Sequence, residues 1–209
     1  EIRPVERIVH LIGPELGDLQ HKDQEFYEEL TAASNGCLYA APSSPGQVLE
    51  VNPVTSQVLL IGPRIEDNAP EQYMCLTAAP NGRLYAPPAS ASAVLAVNPS
   101  SREVHSISVP PDAPAFYSAT LAHNGKMYAA PNQEVLEDPE GVLEIDLHAD
   151  TAKYIGPSLS GYGWFTTLRA APDGTLWAMS CNKGLSSAGV LKIDPSTGVV
   201  EMQSIAWLL

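Results

Sequence analysis

Cysteine, basic residues and long apolar runs are all scarce in this 209-residue chain. The three cysteines, Cys37, Cys75 and Cys181, are widely spaced, with no CxxC pair. An odd, scattered set argues against a disulfide framework or a zinc knuckle, and Cys75, inside an apolar stretch, reads as a packed thiol. Lys and Arg number 11 against 24 Asp and Glu, for a formal net charge of −13. Nucleic-acid binding is dominated by Lys and Arg contacts to phosphate, so a surface this acidic repels it. The same holds for anionic lipid headgroups. The balance suits a cation, a basic protein partner or solubility alone.

No apolar run approaches the roughly 18–20 residues needed to span a bilayer, and no basic-then-apolar leader opens the sequence. A soluble chain without membrane insertion is expected, its localisation open. The Asn-x-Ser/Thr sequon is missing too, since Asn98 is followed by Pro99. That leans toward an intracellular or organellar setting. Finally, no amphipathic 3.6-residue period is sustained, and prolines are dense, so helices are not expected.

What the sequence does hold is a repeat. Asn35-Gly36, Asn81-Gly82, Asn124-Gly125 and Asp173-Gly174 recur at 43–49-residue spacing, each followed by an aromatic in one register: Tyr39, Tyr85, Tyr128, Trp177. A second block reads VLEVNP, VLAVNP, VLEIDL and VLKIDP, followed by a polar turn and a third apolar block. Upstream of each Asx-Gly lies a fourth, containing Tyr27, Tyr73, Phe116 and Phe165. Asx-Gly predicts a tight type I′ hairpin. The Asx-Pro elements predict the next turn, where Pro presets φ and the Asx side chain caps its own backbone.

Four short antiparallel strands per repeat, in tandem, predict an all-β fold, a β-propeller of four-stranded blades. A single blade cannot bury both its faces, and stacking around an axis does so. Strand A of each blade is placed at 26–33, 72–79, 115–122 and 164–171. The opening segment aligns Ile2–Val9 with Val51–Val58 and reads as the C–D strands of an earlier blade. One domain over 1–209 is expected: that C–D fragment at 1–14, then blades at 15–63, 64–109, 110–157 and 158–209. Four complete blades plus part of a fifth suggest a share of a five- to seven-bladed ring, completed by unseen sequence or another chain.

The A–B and C–D turns are short and stereotyped, whereas the B–C and D–A connections on the other side are long and irregular. Variable loops over a rigid scaffold are where binding resides. Half of the carboxylates fall on that side. Glu66, Asp67, Glu71, Glu137, Asp138 and Glu140 are the candidate binding residues for a basic partner, and Tyr162 and Trp164 the candidate ligand contacts.

No catalytic residues, metal ligands or cofactors are assigned. A hard-cation cage needs about six oxygens converging on the channel. The A-strand starts are mostly aromatic and expected to pack between blades, with Glu28 and Glu29 as the only carboxylates there. Asp146, His148 and Asp150 alternate like metal ligands but sit where the other blades have the Asx-Pro turn, so a divergent turn is expected. His10, His21, His105 and His123 have no Ser or Cys partner for nucleophilic catalysis.

The motif NG-x-LYAAP…VL-x-V/I-D/N-P-x-T resembles tandem propeller repeats of unicellular eukaryotes. It is similar, more loosely, to surface-layer-type propellers and to the gluconolactonase and senescence-marker family. The latter resemblance implies a divalent metal held by a Glu near the chain start and by inner-strand Asn and Asp. These ligands have no clear counterparts in this sequence, although Asp173-Gly174-Thr175-Leu176-Trp177 matches the family's common strand-turn motif. The expected role is a non-catalytic interaction, scaffold or accessory subunit. The alternatives are a metal-dependent lactonase-like hydrolase and a ligand- or carbohydrate-binding propeller.

Overall fold

The computed structural model describes residues 2–3, 8–9, 12–13, 27–65, 71–111, 114–132, 141–159, 162–181 and 189–204. Every element among them is a strand. A hairpin of β1 (Ile2–Arg3) and β2 (Ile8–Val9) comes first. The first blade holds β3 (Thr31–Ala32), β4 (Leu38–Ala40), β5 (Gly46–Asn52) and β6 (Gln57–Ile65). The second holds β7 (Thr77–Ala78), β8 (Leu84–Ala86), β9 (Ala93–Asn98) and β10 (Glu103–Ser108). The third holds β11 (Thr120–Leu121), β12 (Met127–Ala129), β13 (Val142–Asp146) and β14 (Thr151–Ile155). The fourth holds β15 (Trp164–Phe165), β16 (Arg169–Ala170), β17 (Leu176–Cys181), β18 (Gly189–Asp194) and β19 (Val199–Ser204). The first three blades are antiparallel meanders in sequence order, and in the fourth β15 and β16 both pair with β17, which β18 and β19 follow. The architecture is a β-propeller with four blades and part of a fifth.

Two local expectations are corrected. The paired part of strand A is shorter than predicted. In blades one to three, prolines follow strand B at Pro42, Pro87-Pro88 and Pro131, and a residue without N–H cannot extend the ladder. The approach to strand A bonds across to the preceding blade instead. Gln72 N donates to Ser43 O at 3.0 Å, Phe116 N to Pro88 O at 2.9 Å and Phe165 N to Pro131 O at 2.8 Å. In the fourth blade Met179-Ser180-Cys181 replace the proline, and β17 runs on to pair with β15.

The Asx-Gly turn is also not type I′, which needs two left-handed residues. Only the glycine is left-handed, Gly36 at φ +82° and Gly125 at +78°. Ala33 N bonds to Cys37 O across a three-residue loop. The Asn therefore stays right-handed, and its Oδ1 accepts from the N–H two residues on, as at Cys37 (3.1 Å) and Lys126 (3.1 Å).

The core lies between blades, in three clusters. One joins Tyr39, Val48 and Ile61 to Leu84, Ala86 and Leu95 of the second blade. The next joins Tyr85 and Val94 to Met127, Leu143 and Ile145. The last joins Tyr128 and Val142 to Leu176, Leu191 and Ile193. Tyr73, Phe116 and Phe165 fill these seams, as expected of the aromatic repeat. Cys75 is buried, and burial pushes its thiol up to about 11.

The N-terminal hairpin joins the same stack. A Cβ on Gly62 would lie 2.5 Å from Val104, and one on Gly156 2.5 Å from Val200; these left-handed glycines let consecutive D strands touch. Gly13, just after β2, meets Val58 in the same way, at 2.6 Å.

Candidate functional site: an open blade flank

Each blade presents one transverse row of side chains to the blade that follows. The register across the four strands sets the row. It reads Thr31, Tyr39, Glu50, Leu59 in the first blade and Thr77, Tyr85, Ala96, His105 in the second. It reads Thr120, Tyr128, Glu144, Lys153 in the third. In the fourth it becomes Arg169, Trp177, Lys192, Glu201.

The first three rows are closed by one set of ties. The Thr hydroxyls donate to carbonyls of the next blade: Thr31 to Leu76 O (2.6 Å), Thr77 to Ala119 O (3.1 Å) and Thr120 to Leu168 O (2.7 Å). The turn Asn amides donate twice, once to the row's tyrosine and once to the next blade's C–D turn. Asn124 reaches Tyr128 Oη at 2.9 Å and Pro195 O at 2.8 Å, and Asn35 reaches Tyr39 Oη at 2.8 Å and Pro99 O at 3.3 Å. All three tyrosines are fully buried. Tyr39 Oη donates to Glu50 and Tyr128 Oη to Glu144. Burial pushes both phenols up to about 12.

The charges of neighbouring blades are matched at a single turn position. Ser56, Arg102, Asp150 and Gly198 occupy the left-handed corner of the four C–D turns. Arg102 leans back onto the first blade and grips Glu50 with two bonds, of 2.8 and 3.1 Å. Asp150 leans back onto the second, 3.2 Å from Arg83 and 3.6 Å from His105. The third blade balances its own acid, with Lys126 at 2.9 Å and Lys153 at 3.4 Å from Glu144, and the fourth brings only Gly198. Burial works to raise the Glu144 carboxyl, but the bonds from Lys126 and Tyr128 outweigh it and hold it below the ordinary value.

On the fourth flank every tie is replaced. Arg169 stands where the others have Thr. Asp173, an acceptor only, stands where the others donate an amide. Its Oδ1 takes Thr175 Oγ1 at 2.6 Å, and Thr175 in turn takes the Trp177 indole N–H at 2.7 Å. The Thr175 hydroxyl and N–H hold Asp173 below the usual carboxylate range. Lys192 lies over the Trp177 ring, 5.6 Å from its centroid. Trp177 and Val190 are half-buried and Met179 is 46% exposed, whereas Tyr128, Val142 and Ala130 at the same places in the third blade are buried. None of the three core clusters includes Trp177, Met179 or Val190. A groove of about 280 Å³, lined by Lys192, Asp194, Thr197, Val199 and Glu201, runs along the outer edge of this flank.

The predicted loop site is not assembled by the described residues. Glu66, Asp67, Glu137, Asp138 and Glu140 lie outside them. Glu71 is exposed, in a left-handed conformation at φ +57°, and accepts from Tyr117 Oη at 3.3 Å. Tyr162 and Trp164 are half-buried rather than displayed; Tyr162 packs against the seam between blades three and four, and Trp164 pairs with Cys181 in the sheet. The Asp146 segment is a turn as expected: Asp146 Oδ1 caps the N–H groups of His148 and Ala149, each at 3.0 Å. Among the described residues no group of three or more His, Cys, Asp or Glu is placed to hold a metal ion, and no helix is long and apolar enough to cross a membrane.

No protein-family model and no curated protein matches the sequence. Solved structures do match the fold. Hydrazine synthase of Kuenenia stuttgartiensis superposes with a TM-score of 0.66 at 19% identity, over 90% of this chain and 53% of that one. Virginiamycin B lyase of Staphylococcus aureus gives 0.65 at 14% identity, over 88% and 57%. A putative 6-phosphogluconolactonase of Bacteroides uniformis gives 0.60 at 18% identity, over 88% and 55%. The chain spans little more than half the length of these propellers. Likeness at such identities is likeness of fold, and a propeller hosts many unrelated activities.

Sequence reasoning missed the open flank. Its signal was already present: Arg169 for Thr, Asp173 for Asn and Lys192 for Glu or Ala depart from the repeat at three corresponding positions. Only the strand register shows that they share one surface with Glu201.

Proposed function

We propose that this chain is a non-catalytic interaction module, an accessory part of a larger assembly, and that the rest of that assembly, whether further sequence or another chain, packs on the flank of the fourth blade. One observation carries this reading. Three flanks bury a tyrosine-centred row against the next blade, while the fourth holds a half-buried Trp177 and an exposed Met179 among charges. Large apolar groups ringed by polar ones mark interaction sites, with Trp, Met and Arg enriched at interfaces. The buried carboxylates support the reading from the other side. Glu50 holds the second blade to the first through Arg102, and Glu144 is tied within its own blade to Tyr128 and Lys126, both structural tasks.

The strong acidity of the chain favours a basic protein partner, which it would attract at long range. The test pairs two measurements on the full chain. Calorimetry with Ca²⁺ and Zn²⁺, alongside hydrolysis assays on a panel of lactones, is expected to give neither metal uptake nor turnover. Turnover that depends on bound metal would replace this reading with the hydrolase.

A further inference from the structure

We infer that Asn81 is a site of covalent modification by water: it loses its side-chain amide as ammonia and becomes an aspartate in the seam between the second and third blades. Asparagine followed by glycine is the pair most open to this reaction, because glycine sets no side chain between its backbone nitrogen and the asparagine amide. The nitrogen of Gly82 attacks Cγ of Asn81 and forms the new N–Cγ bond of a five-membered imide. The Cγ–Nδ2 bond breaks, and Nδ2 leaves as ammonia with the proton that the Gly82 nitrogen gives up. Water then opens the imide at one of its two C–N bonds and leaves aspartate or isoaspartate. One water is consumed and one ammonia released, with no change of oxidation state.

The chain carries the pair three times, at Asn35, Asn81 and Asn124, and each asparagine is exposed to solvent in its A–B turn. The three turns hold the reacting groups almost identically. The glycine N–H donates within the turn, Gly36 to Ala33 O at 3.1 Å, Gly82 to Ala79 O at 3.0 Å and Gly125 to Ala122 O at 3.1 Å. The asparagine Oδ1 accepts from the N–H two residues on, at 3.1, 3.0 and 3.1 Å. Its Nδ2 donates to the tyrosine of the row, at 2.8, 2.9 and 2.9 Å. The side-chain bonds must let go before Cγ can turn onto the glycine nitrogen, so a closed seam slows the reaction.

The bond that leaves the blade is where the three differ. Asn124 reaches Pro195 O at 2.8 Å, Asn35 reaches Pro99 O at 3.3 Å, and Asn81 reaches Leu147 O at 3.5 Å, beyond the ordinary range for N–H···O. The sequence differs at the same place: the second and fourth blades carry proline in this turn, and the third carries Leu147. A second difference favours the product. Tyr39 and Tyr128 donate to Glu50 and Glu144, so a new carboxylate beside either hydroxyl would meet a buried acid. Tyr85 has Ala96 at that place in its row. An aspartate at position 81 can accept from the Tyr85 hydroxyl. Arg83, two residues on, brings a cation that now pairs with Asp150 at 3.2 Å. Conversion removes the amide donation to the third blade for good.

Peptide mapping by mass spectrometry, after the folded full chain has stood in mildly alkaline buffer, reads the three sites separately. Asn81 is expected to convert about tenfold faster than Asn124, the worth of one hydrogen bond, with Asn35 between them. In urea the three rates should converge, since the difference belongs to the fold. Equal rates in the folded chain would overturn the inference, as would Asn35 or Asn124 leading, or the same spread persisting in urea. The variant Asn81→Asp tests the product directly. Its urea midpoint is expected to stay close to that of the parent chain, whereas Asn124→Asp lowers it. An Asn81→Asp chain destabilised as much as Asn124→Asp would mean that the seam rejects the product, and would overturn the inference too.

Discussion

The rows of the third and fourth blades share one cross-strand register, and they meet opposite fates. The third buries Tyr128 and Glu144 completely or nearly so, under the fourth blade. The fourth leaves Trp177 half in water with Lys192 above it. What makes a blade is thus separable from what makes a seam. The blade needs alternating strands and two Asx turns. The seam needs a donor at the Asn, a small hydroxyl at the Thr, and a row whose charge the next turn can match.

The sharpest way to break this comparison is to empty the central ring position on each flank. Tyr128→Ala removes a fully buried aromatic and should cost about 3–5 kcal/mol. Trp177→Ala should cost about 1–2 kcal/mol, from partial burial and one exposed cation–π contact. Urea melts of both variants decide the matter, and equal losses would mean that the fourth flank is as closed as the third.

The charged seam comes next. Glu50→Ala strands the buried hydroxyl of Tyr39, for an expected loss of about 1–3 kcal/mol, while the exposed Arg102 guanidinium turns to water. Adding Arg102→Ala should cost little more, since Arg102 then has no acid to hold. A double-mutant cycle with no coupling between the two would remove the charge match as a tie between blades.

The turn ties are smaller. Asn124→Asp imports the fourth blade's residue into a closed seam. It loses the donations to Tyr128 Oη and Pro195 O, at about 1–3 kcal/mol. The reverse exchange, Asp173→Asn, touches no seam among the described residues and should leave the urea midpoint unchanged.

The acid response should be the smallest effect of all. The folded Glu144 carboxyl sits below its ordinary value of 4.5. Its contribution is therefore whole above that value and fades as pH falls through the depressed folded one. Glu144→Gln should flatten that part of the pH–stability curve, and an unchanged acid limb in the variant would place the sensitivity elsewhere.

The repeat made the blades legible because each strand pattern and turn is written in neighbouring residues. Asn81-Gly82 and the VLAVNP block predict a hairpin and a strand wherever they sit. The length of strand A was less legible, since it depends on whether a proline lies across the ladder: Pro131 in one blade, Met179 in another. The Asx-Gly turn was named wrongly for a related reason. The asparagine's side chain serves the tyrosine and the next blade, a contact about 70 residues away that local turn statistics do not register. The candidate flank was visible only as three departures from the repeat, Arg169, Asp173 and Lys192, at separate places in the chain.

From sequence alone came an all-β repeat, its blade count, the places of its turns and the aromatic core, because these follow from local periodicity and from the presence of Gly, Pro and Asx. Tertiary structure alone decided which side chains form one row, which turn residue answers which acid, and which side chains each flank presents. Those are relations between strands distant in the chain. Only the register of the sheets brings Arg169, Trp177, Lys192 and Glu201 into line.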